Sequence, residues 1–239
     1  METLRLQPYT DHCRVIADEG AHVVIGVSPG NSYFTAQRLR DLARWGLDHF
    51  EKVDFVHTDL HVAEMYEALG YGADEARRKA VKNLRGVRAK VAAAVADVDP
   101  GGRRLRSRGM SEFGGIPAYR ELHRQVLAAV AGDAVVRDTC DALTGTFLKG
   151  KVDPGQEITA RQREVCRAYI CAEVPLFLDT PAILGVPSSL NCYHQALPLA
   201  DLLYARGSGL RASRNQGHGI VTPAPMPAGT TADVEGDPR

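Results

Sequence analysis

The stretch HVVIGVSPGNSYF, residues 22–34, decides the fold class of this sequence. Its first half is a short apolar run rich in β-branched residues, which is typical of a strand buried on both faces of a parallel sheet. The run ends in Gly-x-Ser-x-Gly, formed by Gly26, Ser28 and Gly30, and a segment with helical spacing of apolar residues follows at once. A strand, a glycine turn and a helix in this order predict an α/β fold.

The segments downstream repeat this alternation. Residues 53–59 form a second apolar strand, and helical patterns follow at 61–70 and 74–98. The same patterns predict further strands at 103–110, 188–194 and 217–223, and further helices at 118–131, 134–148, 159–175 and 197–206. We therefore expect one domain over residues 1–222, with a parallel sheet flanked by helices. Residues 223–239, rich in Pro, Gly, Ala and Asp, are predicted to be a disordered tail.

Composition narrows the class of protein. The chain has 239 residues and no formal net charge, which argues against a generic nucleic-acid binder. Its five cysteines are scattered and lack metal-ligand spacing, and no apolar run is long enough to span a membrane. We expect a cytoplasmic protein with reduced cysteines. One charged segment stands out, because residues 77–90 contain seven Lys or Arg and no acid.

Ser28 itself is open to three interpretations. A hydrolase nucleophile would use the backbone N–H of the next residue as an oxyanion donor, but Pro29 has none. Asp179 with His194 or His218 would complete a triad in the right chain order. A phosphate loop is less well supported, because the Walker lysine and the third dinucleotide glycine are missing. In the third interpretation Ser28 caps the helix that follows.

Polar residues in the second half of the chain suggest a ligand site. Tyr169 and Glu173 are four residues apart and share one face of a helix, where a carboxylate suits a substrate ammonium. On the strand 188–194, Asn191 and Tyr193 share one face, while Cys192 and His194 share the other. A cysteine nucleophile at Cys192 is the less favoured interpretation.

A metal site has little support in the sequence. His57, His61 and Glu64 could be imagined as ligands, but their spacing runs from a strand end into a helix start. We therefore expect no metal and no cofactor.

Three motifs together resemble the cyclodipeptide synthases, which make cyclic dipeptides from aminoacyl-tRNAs. They are GVSPGNSYF at 26–34, AYICAEVPLF at 168–177 and VPSSLNCYH at 186–194. The resemblance extends over about residues 22–222, and Asn31, Tyr193 and His194 match the triplet of the family's Asn-Tyr-His subgroup. It implies a Rossmann-like fold similar to the catalytic domain of class I tyrosyl- and tryptophanyl-tRNA synthetases. Their ATP-binding signatures are absent, and an aminoacyl ester needs no further activation.

The resemblance also implies a role for each motif residue. Ser28 would be the nucleophile that takes the first aminoacyl group from tRNA. Tyr169 and Glu173 would hold its α-ammonium, with Glu173 as the proton-transfer group and Tyr193 as a proton relay during cyclisation. Asn31 and His194 would orient the nucleophile loop and the strand.

Further stretches are similar to family members that join two tyrosines, so tyrosyl-tRNA is the expected substrate. Asn191 would then bond the phenolic hydroxyl, and Gly26, Met110 and Leu176 would shape the pocket by analogy. The basic helix would contact tRNA phosphates through Arg78, Lys82, Arg85 and Arg88, although a solvated charged face is the simpler interpretation. The resemblance leaves a homodimer open and implies that a cytochrome P450 cross-links the product.

Overall fold

The computed structural model describes residues 3–153 and 155–224 and contains a six-stranded sheet in the order β1-β6-β5-β2-β3-β4. The strands are β1 Leu4–Pro8, β2 His22–Val27, β3 Lys52–His57, β4 Leu105–Gly109, β5 Ser189–Tyr193 and β6 Gln216–Pro223. All neighbouring strands are parallel except β1, which runs antiparallel to β6. This topology confirms the predicted α/β class.

Helices cover both faces of the sheet. They are α1 Asp11–Glu19, α2 Ala36–His49, α3 Val62–Ala68, α4 Ala73–Val98, α5 Pro117–Gly132, α6 Ala134–Lys149, α7 Ala160–Leu184 and α8 Pro198–Tyr204, with a 3-10 turn at Met110–Gly115. Buried side chains of α1, α2 and α4 form one core with the sheet. On the other face α5 and α7 pack against the sheet, while α6 and α8 pack against α7 and complete a second apolar layer. Ligands bind at the carboxyl ends of the strands in such sheets, and there β2, β3 and β5 meet.

The start of the chain was not predicted. The first strand, β1, closes one edge of the sheet against β6, and α1 packs on β6 beside it. The sequence LRLQP of β1 is too short and too mixed for a clear signal. Because β1 pairs with Pro223, the final strand extends one residue beyond the predicted domain boundary at 222. Most of the predicted tail, residues 225–239, lies outside the described residues.

The helix predicted directly after Ser28 begins later. Residues 28–35 form a loop, and α2 starts at Ala36 with Thr35 as its cap, because the Thr35 hydroxyl accepts the Arg38 N–H at 3.1 Å. The Asn31 side-chain oxygen instead accepts the N–H of Tyr33 at 2.9 Å, which favours a turn over a helix. The interpretation of Ser28 as the helix cap is therefore wrong.

The helix predicted to end at Pro175 continues to Leu184, with one non-helical residue at Asp179. A proline inside a helix removes the N–H that would bond the carbonyl four residues earlier. For Pro181 that carbonyl belongs to Phe177, and the Tyr204 hydroxyl donates to it at 2.9 Å. This partner, supplied by α8, makes Pro181 tolerable, and the sequence alone does not reveal it.

The helix predicted over residues 74–98 is confirmed as α4, which packs its apolar side against the sheet. Ala80, Val87 and Val91 are buried, and Val95 and Val98 pack against the same core. Leu84 is only partly buried. Within residues 3–153 and 155–224, no helix is long and apolar enough to cross a membrane.

Candidate active site

Ser28 and Tyr193 meet at the carboxyl end of the sheet. Ser28 follows the last residue of β2, Tyr193 is the last residue of β5, and the two strands pair in parallel. Their hydroxyl oxygens are 2.9 Å apart, within hydrogen-bond distance. Burial raises the pKa of Tyr193, so its phenol stays protonated and can donate or relay a proton.

A second contact, between Asn31 and His194, joins the loop after β2 to the end of β5. The Asn31 side-chain nitrogen lies 3.2 Å from His194 Nε2, and the Asn31 backbone N–H donates to the Ser28 carbonyl at 3.3 Å. Gly30, between them, has φ of 77°, a conformation in which a side chain would be strained. The loop that carries Ser28 is thus fixed at its turn and against β5.

Glu173 lies on α7 with Thr58 and Tyr169 as its partners. The Thr58 hydroxyl donates a short hydrogen bond to Glu173 Oε1, and Tyr169 stands one helical turn away. Burial raises the pKa of Glu173, while hydrogen bonds from Thr58 and Tyr169 oppose that rise. A carboxylate whose pKa is raised by burial and lowered by hydrogen bonds can bind an ammonium group or accept a proton.

The side chains of Ser28, Tyr193 and Glu173 face one cavity of about 260 Å³, whereas Asn31 and His194 lie outside its lining. Its walls include Ser28, Tyr193, Glu173 and Tyr169, together with the four predicted pocket residues Gly26, Met110, Leu176 and Asn191. The remaining lining is mainly apolar and comes from β2, β3, α6, α7 and residues 195–199. A Cβ at Gly26 would lie 3.5 Å from the Tyr193 ring, so a larger side chain there would fill the cavity.

Several lining residues were missed from the sequence. Thr58 is the clearest, because it directly follows β3 at the edge of the sheet where ligands bind. Phe147 on α6 lines the cavity and stacks on Tyr169 with ring centroids 5.9 Å apart. The position of α6 beside the cavity depends on the packing of helices, and no local motif in the sequence predicts it.

The basic face of α4 is only partly free. Arg78, Lys82 and Arg85 are exposed. Arg88 is also exposed, but it bonds His57 Nε2 at 3.0 Å and pairs with Asp59 at 2.7 Å. Arg88 thereby ties α4 to the end of β3.

The alternative chemistries have little geometric support. The partner of Ser28 is a tyrosine, while His218 Nδ1 bonds the Asn191 carbonyl at 2.9 Å. Cys192 is fully buried, and burial raises the pKa of its thiol, which disfavours a thiolate nucleophile. Among the described residues, no three His, Cys, Asp or Glu side chains converge as metal ligands.

A second arrangement does have the connectivity of a hydrolase triad. His22 bonds Ser189 Oγ at 2.8 Å and Asp54 at 2.9 Å. All three are buried, with exposed fractions of 0% for Ser189, 1% for His22 and 5% for Asp54. They lie toward the amino ends of the strands, away from the cavity, so their hydrogen bonds hold the sheet together and Ser189 is closed to a substrate.

Comparison with known proteins agrees with this geometry. The family model for cyclodipeptide synthases matches residues 4–223. The cyclo(L-tyrosyl-L-tyrosyl) synthase of Mycobacterium tuberculosis is 64% identical over 227 residues, which cover 95% of this chain and 78% of that protein. The cyclo(L-leucyl-L-phenylalanyl) synthase of Streptomyces noursei is 33% identical, over 89% of each chain.

A solved structure gives the same result for the fold. That of the Mycobacterium tuberculosis protein superimposes with a TM-score of 0.87 at 63% identity, over 93% of this chain and 94% of that one. It is described as demonstrating that cyclodipeptide synthetases are related to type I tRNA synthetases, which confirms the predicted fold relationship. On the family match and these identities, together with the cavity around Ser28, Tyr193 and Glu173, this chain belongs to the cyclodipeptide synthase family.

Proposed function

We propose that this chain makes cyclo(L-Tyr-L-Tyr) from two molecules of tyrosyl-tRNA by acyl transfer through Ser28. The observation that carries the proposal is the 2.9 Å contact between Ser28 Oγ and the Tyr193 hydroxyl, in a cavity that also contains Glu173. The 64% identity to a cyclo(L-tyrosyl-L-tyrosyl) synthase supports the choice of tyrosine.

The first step forms an ester on the enzyme. Ser28 Oγ attacks the ester carbonyl of one tyrosyl-tRNA, the bond from that carbonyl to the terminal ribose oxygen breaks, and this oxygen takes up the serine proton and leaves as the tRNA hydroxyl. Pro29 offers no backbone N–H for an oxyanion hole. An activated ester needs less stabilisation of this kind than an amide.

The second and third steps form the two peptide bonds. The amine of the tyrosyl group on Ser28 loses a proton to Glu173 and attacks the ester carbonyl of the second tyrosyl-tRNA. The bond from that carbonyl to the second ribose oxygen breaks, the oxygen leaves with the proton from Glu173 as the hydroxyl of the free tRNA, and a dipeptidyl ester remains on Ser28. The new terminal amine then attacks that ester and releases the cyclic product. Tyr193 returns a proton to Ser28 Oγ, and its contact with Ser28 supports this role.

Asn191 is the proposed specificity residue. Asn191 is 3% exposed and lines the cavity, and the hydrogen bond that its side-chain nitrogen donates to the Leu176 carbonyl is long, at 3.5 Å. The amide can therefore turn toward the phenolic hydroxyl of a tyrosyl group. A phenylalanyl group would leave the buried amide without a partner, which costs about 1 to 3 kcal/mol.

Cyclodipeptide synthases use aminoacyl-tRNA, and we assign the exposed basic face of α4 to the tRNA backbone. Arg78, Lys82 and Arg85 are exposed there, which supports phosphate contacts. Arg88 is held by Asp59 and contributes less to such contacts than the sequence suggests. The alternative remains a solvated face without a partner.

Three further points belong to the proposal. The substrate, charged tRNA, implies action in the cytoplasm. The two phenols of the product are suited to oxidative cross-linking by a cytochrome P450. A homodimer is compatible with the proposed chemistry, which makes no demand on a second chain because one chain supplies every proposed catalytic residue.

The test is mass spectrometry of medium from bacteria that express the chain or its Ser28→Ala variant. We expect cyclo(Tyr-Tyr) from the unmodified chain and none from the variant. A different cyclic dipeptide would retain acyl transfer but refute the role of Asn191. Absence of any cyclic dipeptide from folded protein would refute the proposal.

A further inference from the structure

Outside the cavity, the loop that carries Ser28 ends against a column of three stacked side chains. The Tyr33 ring lies on the His194 imidazole, with centroids 4.1 Å apart and planes inclined by 15°. The Arg38 guanidinium carbon lies over the Tyr33 ring, 4.9 Å from its centroid. Since the imidazole covers one face of the phenol ring, the guanidinium covers the other.

We propose that Tyr33 and Arg38 are positioning residues for the nucleophile, which hold the His194 ring where it accepts a hydrogen bond from Asn31. The inference rests on the proposed function in one respect, the role of Ser28 as nucleophile. The column itself is defined by contacts that do not depend on the substrate.

The hydrogen bonds fix the orientation of both partners. The Asn31 oxygen accepts the Tyr33 N–H at 2.9 Å, so the amide nitrogen is the group that faces His194. A nitrogen that only donates requires a lone pair on His194 Nε2, 3.2 Å away. Neutral imidazole with its proton on Nδ1 meets this requirement, and imidazolium does not.

The surroundings of His194 favour the neutral ring. Burial lowers its pKa, and the positive charge of Arg38 lowers it further. Around the ring, α2 contributes Arg38, β5 contributes Tyr193, and the loop contributes Asn31 and Tyr33. From α4, Lys90 donates to the Phe34 carbonyl at 2.9 Å, so it adds a second cation near this loop.

The stack on Tyr33 and the charge of Arg38 both keep His194 able to accept the hydrogen bond from Asn31. The stack sets the angle of the imidazole, and the cation maintains the acceptor at Nε2. Asn31 then connects the ring to the Ser28 carbonyl through its own backbone N–H, at 3.3 Å. Disturbing Tyr33 or Arg38 should loosen Ser28 without touching the cavity.

The first experiment measures the column directly, by NMR titration of isotope-labelled histidine in the full chain. The His194 signal is assigned from its loss in His194→Gln. We expect His194 to titrate at higher pH in Arg38→Gln than in the unmodified chain, and Arg38→Lys to restore the original value. An unchanged titration in Arg38→Gln would overturn the electrostatic part of the proposal.

The second experiment measures acylation of Ser28 by intact-protein mass spectrometry in a single turnover with tyrosyl-tRNA. We expect Tyr33→Leu to slow acylation by about 10- to 100-fold, because a 1 Å displacement of a reacting group can cost 100-fold, and Tyr33→Phe to retain the rate. An unmodified rate in Tyr33→Leu would overturn the positioning role. If Tyr33→Leu fails to fold, Arg38→Gln, altered near the surface, is measured in its place with the same expectation.

The two experiments separate this inference from the proposed function. If the unmodified chain forms no acyl-enzyme with tyrosyl-tRNA, the proposed function fails, and the NMR titration still decides whether Arg38 controls His194.

Discussion

The hydroxyl oxygens of Ser28 and Tyr193 are 2.9 Å apart although 165 positions separate them in the sequence. The parallel pairing of β2 with β5 produces this contact, because both strands end at the same edge of the sheet. The pair places a protonated phenol beside a nucleophile. Replacing Ser28 should therefore block acylation, whereas replacing Tyr193 should slow the later cyclisation.

Replacing Tyr193 by Phe removes the proposed relay and leaves the ring in place. We expect cyclic product to form about 100-fold more slowly, within the usual contribution of a positioned proton donor. Acylated Ser28 should accumulate, and intact-protein mass spectrometry of quenched reactions will detect it. Ser28→Ala serves as the control without any acyl-enzyme. Product formation by Tyr193→Phe at the unmodified rate would contradict the relay.

Replacing Thr58 by Val should change the pH dependence of the reaction. The Thr58 hydroxyl donates to the ionised carboxylate and so lowers the pKa of Glu173 against the effect of burial. Without this bond the pKa rises, the basic form is lost at higher pH, and the acid limb of kcat/KM shifts toward higher pH. Thr58→Ser keeps the donor and should keep the profile. Coinciding profiles for the Val and Ser variants would refute the assignment.

Replacing Asn191 by Leu should reduce the preference for tyrosine. The buried amide no longer penalises a phenylalanyl group, so discrimination should fall by about 5- to 150-fold, the equivalent of 1 to 3 kcal/mol. Competition between tyrosyl-tRNA and phenylalanyl-tRNA, read by mass spectrometry of the products, measures this ratio. An unaltered ratio in a folded variant would assign specificity to another wall of the cavity.

Charge reversal on α4 tests the tRNA surface. Arg78→Glu with Lys82→Glu should raise KM for tyrosyl-tRNA and reduce its salt dependence, because phosphate contacts release counterions. Arg5→Glu with Arg14→Glu is the matched control, since it reverses the same number of charges and both residues are exposed, on β1 and α1, at the opposite edge of the sheet. An equal effect of both changes would mean that overall charge matters and α4 does not.

Acid stability should depend on His218. Burial lowers the pKa of His218 to about 4, so between that value and its ordinary value of 6.5 only the unfolded chain binds this proton. Stability is therefore complete above the ordinary value and falls as pH drops toward 4, by about 3 kcal/mol in total for this group.

Urea unfolding at a series of pH values measures this slope. His218→Gln should remove the contribution of His218, whereas His49→Gln, at an exposed position, should not. Equal slopes for the two variants would contradict the assignment.

Much of the fold could be predicted because its signals are local. The run before Ser28 and the stripe of Ala80, Val87 and Val91 each fit one period, which identifies a buried strand and a docked helix. The sequence predicts a helix directly after Ser28 because Tyr33, Leu39 and Leu42 follow a roughly helical spacing. The Asn31 hydrogen bond to Tyr33 outweighs that spacing.

The site divides in the same way. Tyr169 and Glu173 lie on one helical turn, so their proximity follows from the sequence. The third member of this group, Thr58, directly follows β3, and its contact with Glu173 depends on how α7 packs against the sheet. No local pattern contains that information.

The sequence by itself determined the α/β class, the strand and helix order of most of the chain, and the residues of the three motifs. The tertiary structure decided which groups meet: Ser28 with Tyr193, Thr58 with Glu173, and Arg38 with Tyr33 and His194. The physical reason is the distance along the sequence over which each interaction acts. Hydrophobic periodicity and turn chemistry act over a few residues, whereas these contacts arise only when strand pairing and helix packing bring distant segments together.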